Sequence, residues 1–344
     1  MSLAVLAIEQ KVIKWSSFDN IENEELIKNL FGESGFQMLP SKKLIINHLE
    51  ALTDTYVKVD NDCFEFIHET MQNIVLYCIS KSFINSVLKF CKTDVFKNQI
   101  RLDFSRDEDT LPVIKVKSEL EDAYFTRVVQ DLRKGLYVDV LKNNQNAFDT
   151  FRQKLCTFVN KHKQEINLKV NSDGMNILHV VSSFGYNDFA SLFLNIDKRM
   201  IHVSDRNGNT PLHVAANNGY PNIVKLFVEA GRNVHLLNNE KLSPFFYACE
   251  NNSIPVVNYL INLKGDFVKI NEKYVLREYK SVLHIACLKG FERLTKILLD
   301  HHASINIQDK SGFTPLHLAC LSGHYKIALL LLKKKELMSM HWTH

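Results

Sequence analysis

Apolar and polar positions change their rhythm along the 344 residues. Near the start, "AVLAIEQKVIKW" and "NEELIKNLF" carry apolar residues at helical spacing and predict short helices. "SKKLIINHLEAL" predicts an amphipathic helix with Leu44, Ile45, His48, Leu49 and Leu52 on one face. "TYVKVDNDCFEFIH" then alternates with period two. Tyr56, Val57 and Val59 precede a polar Asn61-Asp62 turn, and Phe64 and Phe66 follow it, which predicts a hairpin. Helical spacing returns in "ETMQNIVLYCISKSF". From about Asn171 the pattern differs in kind. Short runs rich in small residues, such as "GNTPLHVAANNG" and "GFTPLHLACLSG", alternate with strongly apolar ones: "NIVKLFVEAG", "IPVVNYLINLKG", "RLTKILLDHH" and "KIALLLLKKK".

The second pattern is periodic. His179, His213, Phe246, His284 and His317 fall in one frame, at intervals of 34, 33, 38 and 33 residues. A period near 33 with T-P-L-H-x-A resembles the ankyrin repeat. Pro211 and Pro315 stand at the first helical position, where a missing N–H costs nothing. Thr210 and Thr314 precede them as N-caps. Ala215-Ala216, Ala248-Cys249, Ala286-Cys287 and Ala319-Cys320 keep the first helix thin, and Gly185, Gly219, Gly290 and Gly323 end it. The third repeat departs, with Phe246 in the histidine slot, Ser253 for the helix-ending glycine and about five extra residues before the fourth motif. "KKKELMSMHWTH" departs again, without a polar capping repeat.

The expected fold is mostly α. An ankyrin-repeat solenoid of five helix-turn-helix repeats occupies 166–344, at about 171–204, 205–237, 238–275, 276–308 and 309–340. The resemblance implies that His179, His213, His284 and His317 hold one repeat to the next, and that partners dock on hairpin tips and the open face of the first helices. Those positions are Arg206, Asn207, Asn209, Asn217 and Asn218 in the second repeat, and Asn239, Glu240, Leu242, Glu250 and Asn251 in the third. They are Arg277, Glu278, Lys280, Leu288 and Lys289 in the fourth, and Lys310, Ser311, Phe313, Leu321 and Ser322 in the fifth. Phe313 and Leu321 suit an apolar anchor ringed by polar groups.

The first half carries a second resemblance. Helices, a hairpin and a following helix over 1–105, with "CFEFIHETMQNIVLY", resemble the winged helix of the STAND signal-transduction ATPases, which include NACHT proteins. Residues 106–165 resemble the helical linker that joins such a core to ankyrin arrays. The resemblance implies a nucleotide-sensing role for His68 and makes the chain the regulatory portion, or a shortened relative, of a signalling ATPase. A phosphate site is not legible beside it: there is no GxxxxGK[ST] and no Gly-Lys dipeptide. Capping the helix near Glu69, or packing on the wing, is the plainer role for His68.

Composition narrows the function. The net charge is −2 over residues 1–165 and +6 over 166–344, too mild to argue for nucleic acid. The would-be recognition helix has one Lys and no Arg, which counts against DNA reading. Seven cysteines lack CxxC or zinc spacing, and Cys249, Cys287 and Cys320 share one helix position, so buried thiols in a reducing cytoplasm are expected. No run approaches a membrane span. GxSxG, HExxH and EF-hand patterns are absent. His301-His302, His341 and His344 read as solvated, Lys333 to Lys335 as a helix-end charge run and Lys161-His162-Lys163 as linker. The expectation is a protein-binding scaffold: no enzyme, no cofactor or metal, no small-molecule substrate, and a protein or peptide partner.

Overall fold

The computed structural model describes residues 13–14, 47, 49–53, 57–60, 63–66, 69–103, 113–166, 170–231, 233–263 and 268–340. The chain separates into two compact units, Met1–Asn167 and Leu168–His344.

In the first unit the period-two stretch forms the expected hairpin, β2 (Val57–Asp60) against β3 (Cys63–Phe66), antiparallel with Val57 opposite Phe66. A third strand, β1 (Ile13–Lys14), pairs with β3 and gives the order β1-β3-β2. The sequence predicts helix at Ile13–Lys14. Sheet pairing overrides a weak local helical pattern there, because propensity is a small term beside a completed ladder. Helix α1 (Glu69–Ser80) follows, then α2 (Ile84–Phe90) and α3 (Thr93–Gln99). Residues 106–165 are not purely helical. β4 (Ile100–Leu102) pairs in parallel with β5 (Ile114–Val116), and only then come α4 (Glu121–Arg133), α5 (Tyr137–Leu141) and α6 (Asp149–Lys161). "LPVIKVK" is too short to betray a buried strand by periodicity.

The core of this unit is tied by polar groups as well as apolar ones. Arg127, buried on α4, donates to the carbonyls of Leu88 (3.1 Å) and Lys89 (3.2 Å) at the end of α2, and to Asp131 at 3.0 Å. Helix-end carbonyls that lack intrahelical partners are thereby satisfied. The Tyr124 hydroxyl accepts from Asn143 at 3.0 Å and from Gln145 at 2.7 Å, and Gln145 in turn accepts from the Leu102 N–H at 2.9 Å.

The second unit is a stack of five helix pairs: α7 (Ile177–Phe184) with α8 (Asn187–Ile196), α9 (Pro211–Asn217) with α10 (Pro221–Glu229), α11 (Pro244–Glu250) with α12 (Ile254–Ile261), α13 (Val282–Lys289) with α14 (Glu292–Asp300), and α15 (Pro315–Leu321) with α16 (Tyr325–Met340). First helices pack on first helices along the stack, and second helices on second. Local chemistry places each start. The side chains of Asn176, Ser243, Ser281 and Thr314 accept from the N–H three residues on, and proline opens α9, α11 and α15. Ala215, Ala216, Ala248, Ala286 and Ala319 are fully buried, which lets neighbouring first helices approach.

Two expectations are corrected here. The left-handed residue closing α11 is Asn252 (φ 54°), not Ser253, which precedes α12 as its N-cap. Asparagine tolerates that region because its short polar side chain bonds locally. Cys249 and Cys287 are buried, but Cys320 is exposed because no further helix pair covers α15 among the described residues.

Candidate protein-binding surface

The motif histidines act as rivets. Nδ1 of His179, His213 and His284 accepts from the backbone N–H of the cap residue before each helix, at 3.1, 3.2 and 3.1 Å. The ring proton is therefore on Nε2, which donates to a carbonyl of the next repeat: Asn209 (3.0 Å), Leu242 (3.2 Å) and Phe313 (3.0 Å). Burial holds His284 in its neutral form by lowering its pKa from the ordinary 6.5. His317 makes the same local bond from the Thr314 N–H at 3.0 Å. Its Nε2 meets no acceptor among the described residues, and the ring is exposed. In the third repeat Phe246 has no nitrogen to offer. Tyr274 packs on it instead, ring centres 4.3 Å apart, and both are buried.

The hairpins show a second recurring device. Asn171, Asp205, Asn238 and Asp309 each accept through Oδ1 from the backbone N–H groups two and four residues on, at 2.7 to 3.0 Å. Backbone bonds then join hairpin to hairpin: Arg206 N–H to Asp173, Asn239 N–H to Asn207 and Lys310 N–H to Glu278. Between the third and fourth hairpins the link is a side chain. Arg277 reaches Glu240 at 3.4 Å and Glu250 at 3.8 Å.

Against this frame the expected contact residues divide. Most of those in the second and third repeats are engaged with neighbours. Arg206 faces Asp173 at 3.4 Å. The Asn207 carbonyl takes the Asn239 N–H. Asn209 is half-buried: its carbonyl takes His179, and its side chain accepts from Asn238 at 2.8 Å. Asn217 accepts from Asn251 at 2.7 Å, Asn218 donates to the Val214 carbonyl and Asn239 to that of Arg206. Leu242 is wrong as a contact residue. It is fully buried, its side chain turned into the stack while its carbonyl meets His213.

The fourth and fifth repeats differ. Lys280 pairs with Glu278, and Lys289 donates to the Glu250 carbonyl at 2.9 Å. The Lys310 ammonium has no partner among the described residues. Leu288, Phe313 and Leu321 stand 40, 39 and 70 % exposed, with the ring centres of Phe313 and the exposed His317 6.0 Å apart. Ser311 and Ser322 lie beside Phe313 and Leu321 in the chain. Sequence reasoning missed Val275 and Leu276, exposed on the fourth hairpin beside Tyr279, and Tyr325, Leu329 and Leu332 on α16. A signal for Leu276 existed: eight residues before the motif position, the other four repeats carry Asn or Asp. His68 lies outside the described residues.

Among the described residues no three of His, Cys, Asp or Glu converge, and no helix is long and apolar enough to cross a membrane. Burial pushes the Cys287 thiol up to about 12 and Cys249 well above its ordinary value, which removes them as nucleophiles at neutral pH. What remains is a riveted stack of helix pairs with an apolar edge at one end, the build of a helical-repeat scaffold. The ankyrin-repeat profile matches residues 144–238, 197–273 and 245–340, more than half of the sequence, and the chain belongs to the ankyrin-repeat family. Members of that family are in general protein–protein interaction modules. The match leaves residues 1–143 outside the family and lends no support to the winged-helix resemblance. A comparison with curated proteins returns no match.

Proposed function

We propose that this protein is a non-catalytic scaffold whose fourth and fifth repeats bind a polypeptide carrying an apolar side chain among carboxylates. It works inside the cell, where its cysteines stay thiols. The observation that carries this is the contrast in exposure. Phe313 and Leu321 face solvent beside the unpaired Lys310, while the polar groups of the second repeat's edge bond to neighbouring hairpins and helices. Apolar anchors ringed by polar groups are where binding energy concentrates. Neither nucleic acid, membrane, small-molecule substrate nor cofactor enters this reading.

With a partner isolated on the full chain, Phe313→Ala is expected to weaken binding by about 2 kcal/mol, roughly 30-fold in Kd. The same change should alter unfolding by less than about 0.5 kcal/mol, since Phe313 is a surface residue. Lys310→Glu is expected to slow association and change its salt dependence more than it changes dissociation. If both variants bind like wild type while Arg206→Ala and Asn218→Ala abolish binding, the docking edge is the second repeat.

A second reading treats residues 1–105 and 106–165 as the winged helix and linker of a STAND-type switch whose nucleotide core is absent from this chain. The β2–β3 hairpin with α1 close behind it favours that reading. Its signature is a P-loop ATPase core encoded in the same reading frame, whose ATP binding changes on His68→Ala only when that core is joined to this chain. The scaffold reading expects no such core.

A further inference from the structure

The fourth hairpin is built unlike the other four. Where they place the Asn or Asp that closes the turn, it has Leu276, 60 % exposed, beside Val275 at 56 % and Tyr279 at 41 %. This turn is held by other means. Tyr274, buried on Phe246, bridges to Lys280: its N–H donates to the Lys280 carbonyl at 3.2 Å, and the Tyr279 N–H returns to the Tyr274 carbonyl at 3.0 Å. The path also needs two consecutive non-glycine residues in the left-handed region, Glu278 (φ 58°) and Tyr279 (φ 59°). The hairpins of the first, second and fifth repeats use Gly174, Gly208 and Gly312 there. Left-handed backbone at such residues persists only where the surroundings impose it, and it clusters at ligand-contacting sites. Folding gains nothing from holding three apolar side chains in water on a stiffened turn.

We infer that Val275, Leu276 and Tyr279 form a docking tip for an acidic, apolar segment of a protein partner. Charge sets the sign. Arg277 is taken by Glu240 and Glu250, and Lys280 by Glu278. Among the described residues around the turn, Lys241, Lys269, Lys273, Lys289 and Lys310 then have no ionic partner, against Glu272, the buried Asp309 and the surplus charge of two glutamates on one arginine. The tip adjoins the fifth repeat, because the Lys310 N–H donates to the Glu278 carbonyl at 2.8 Å and His284 to the Phe313 carbonyl. One segment is therefore able to engage both the tip and the Phe313–Leu321 edge. This inference rests on the scaffold reading and adds a contact which that reading does not contain.

The test uses the full chain with labelled valine and leucine methyl groups. It is titrated with a panel of peptides of about 12 residues, each carrying two apolar side chains among Asp and Glu. A matched panel has Lys in place of the acids, and a third arm uses vesicles of phosphatidylcholine and phosphatidylserine. The expected result is that acidic peptides shift the Val275 and Leu276 methyl signals. Leu276→Asn with Tyr279→Ser should then lower their affinity by about tenfold or more. Leu276→Asn installs the residue type of the other hairpins, so the melting temperature should hold. Should that double variant melt early, Val275→Asp supplies the same reading. Shifts at Leu288 and Leu321 without Val275 and Leu276 overturn the tip and leave the scaffold reading standing. No response to any peptide, or equal response to the lysine panel, overturns both. Vesicles that shift the tip methyls when peptides do not make it a membrane contact and overturn the inference.

Discussion

The second and fourth repeats start from the same frame and use it in opposite ways. Around "DRNGN" of the second, Asp205 closes the turn, Asn209 bridges two neighbours and the Asn207 carbonyl takes the next hairpin. Around "VLREYK" of the fourth, closure falls to a buried tyrosine and an arginine clamp, and the turn presents valine, leucine and tyrosine to water. Polar residues at a repeat's edge are thus no guide to where a partner binds. In this array they mostly satisfy the array's own backbone, as buried or half-buried polar groups must. The informative residues are the apolar ones standing where polar ones recur.

The sharpest way to break this comparison is at the aromatic junction. Phe246→Ala removes a fully buried ring and the seat of Tyr274, and is expected to cost about 3–5 kcal/mol in urea unfolding. A loss below about 1 kcal/mol would show that the fourth hairpin is not held by this stack.

A smaller effect separates hairpins inside the array from the last one. Gly208 (φ 78°) and Gly312 (φ 81°) share a left-handed conformation, so alanine costs about 1–2 kcal/mol at either. At Gly208 a Cβ would also meet the Asn239 backbone nitrogen at 2.7 Å, whereas at Gly312 nothing lies within 4 Å. Thermal melts should rank Gly208→Ala clearly below Gly312→Ala. Equal losses would mean that the second and third hairpins separate freely.

The smallest effect is that of pH on the rivets. The folded state keeps His284 neutral, so on acidification the unfolded chain takes up the proton first. The stability contributed by this burial is complete above the ordinary value of 6.5 and is lost as pH falls below it towards the lowered folded value. Melts at about pH 7.5 and 5.5 should show the drop, and His284→Asn should flatten it. An unchanged slope in that variant would assign the pH response elsewhere.

Much of this was legible from residue order because an array's unit is local. A cap, a proline, a thin helix, a turn and an apolar helix all lie within one period, so spacing reveals them without knowledge of distant contacts. The β2–β3 hairpin was legible for the same reason. β1 and the β4–β5 pair were not, since each depends on a partner that short-range pattern cannot name. Cys320 was misplaced because identical motif positions were given identical burial, although burial belongs to the neighbour and not to the motif.

The sequence by itself determined the repeat, its period, the rivet histidines and the anomaly at Phe246, because these are consequences of chemistry repeated in register. Only the tertiary structure decided which surface groups are occupied. It turned Leu242 inward, engaged Asn209 and Asn217 with adjoining repeats, gave Arg277 to Glu240 and Glu250, and left Val275, Leu276, Phe313 and Leu321 facing water. A side chain's availability is set by what packs against it across a repeat boundary, and the residues that do so lie some thirty or more positions away in the chain.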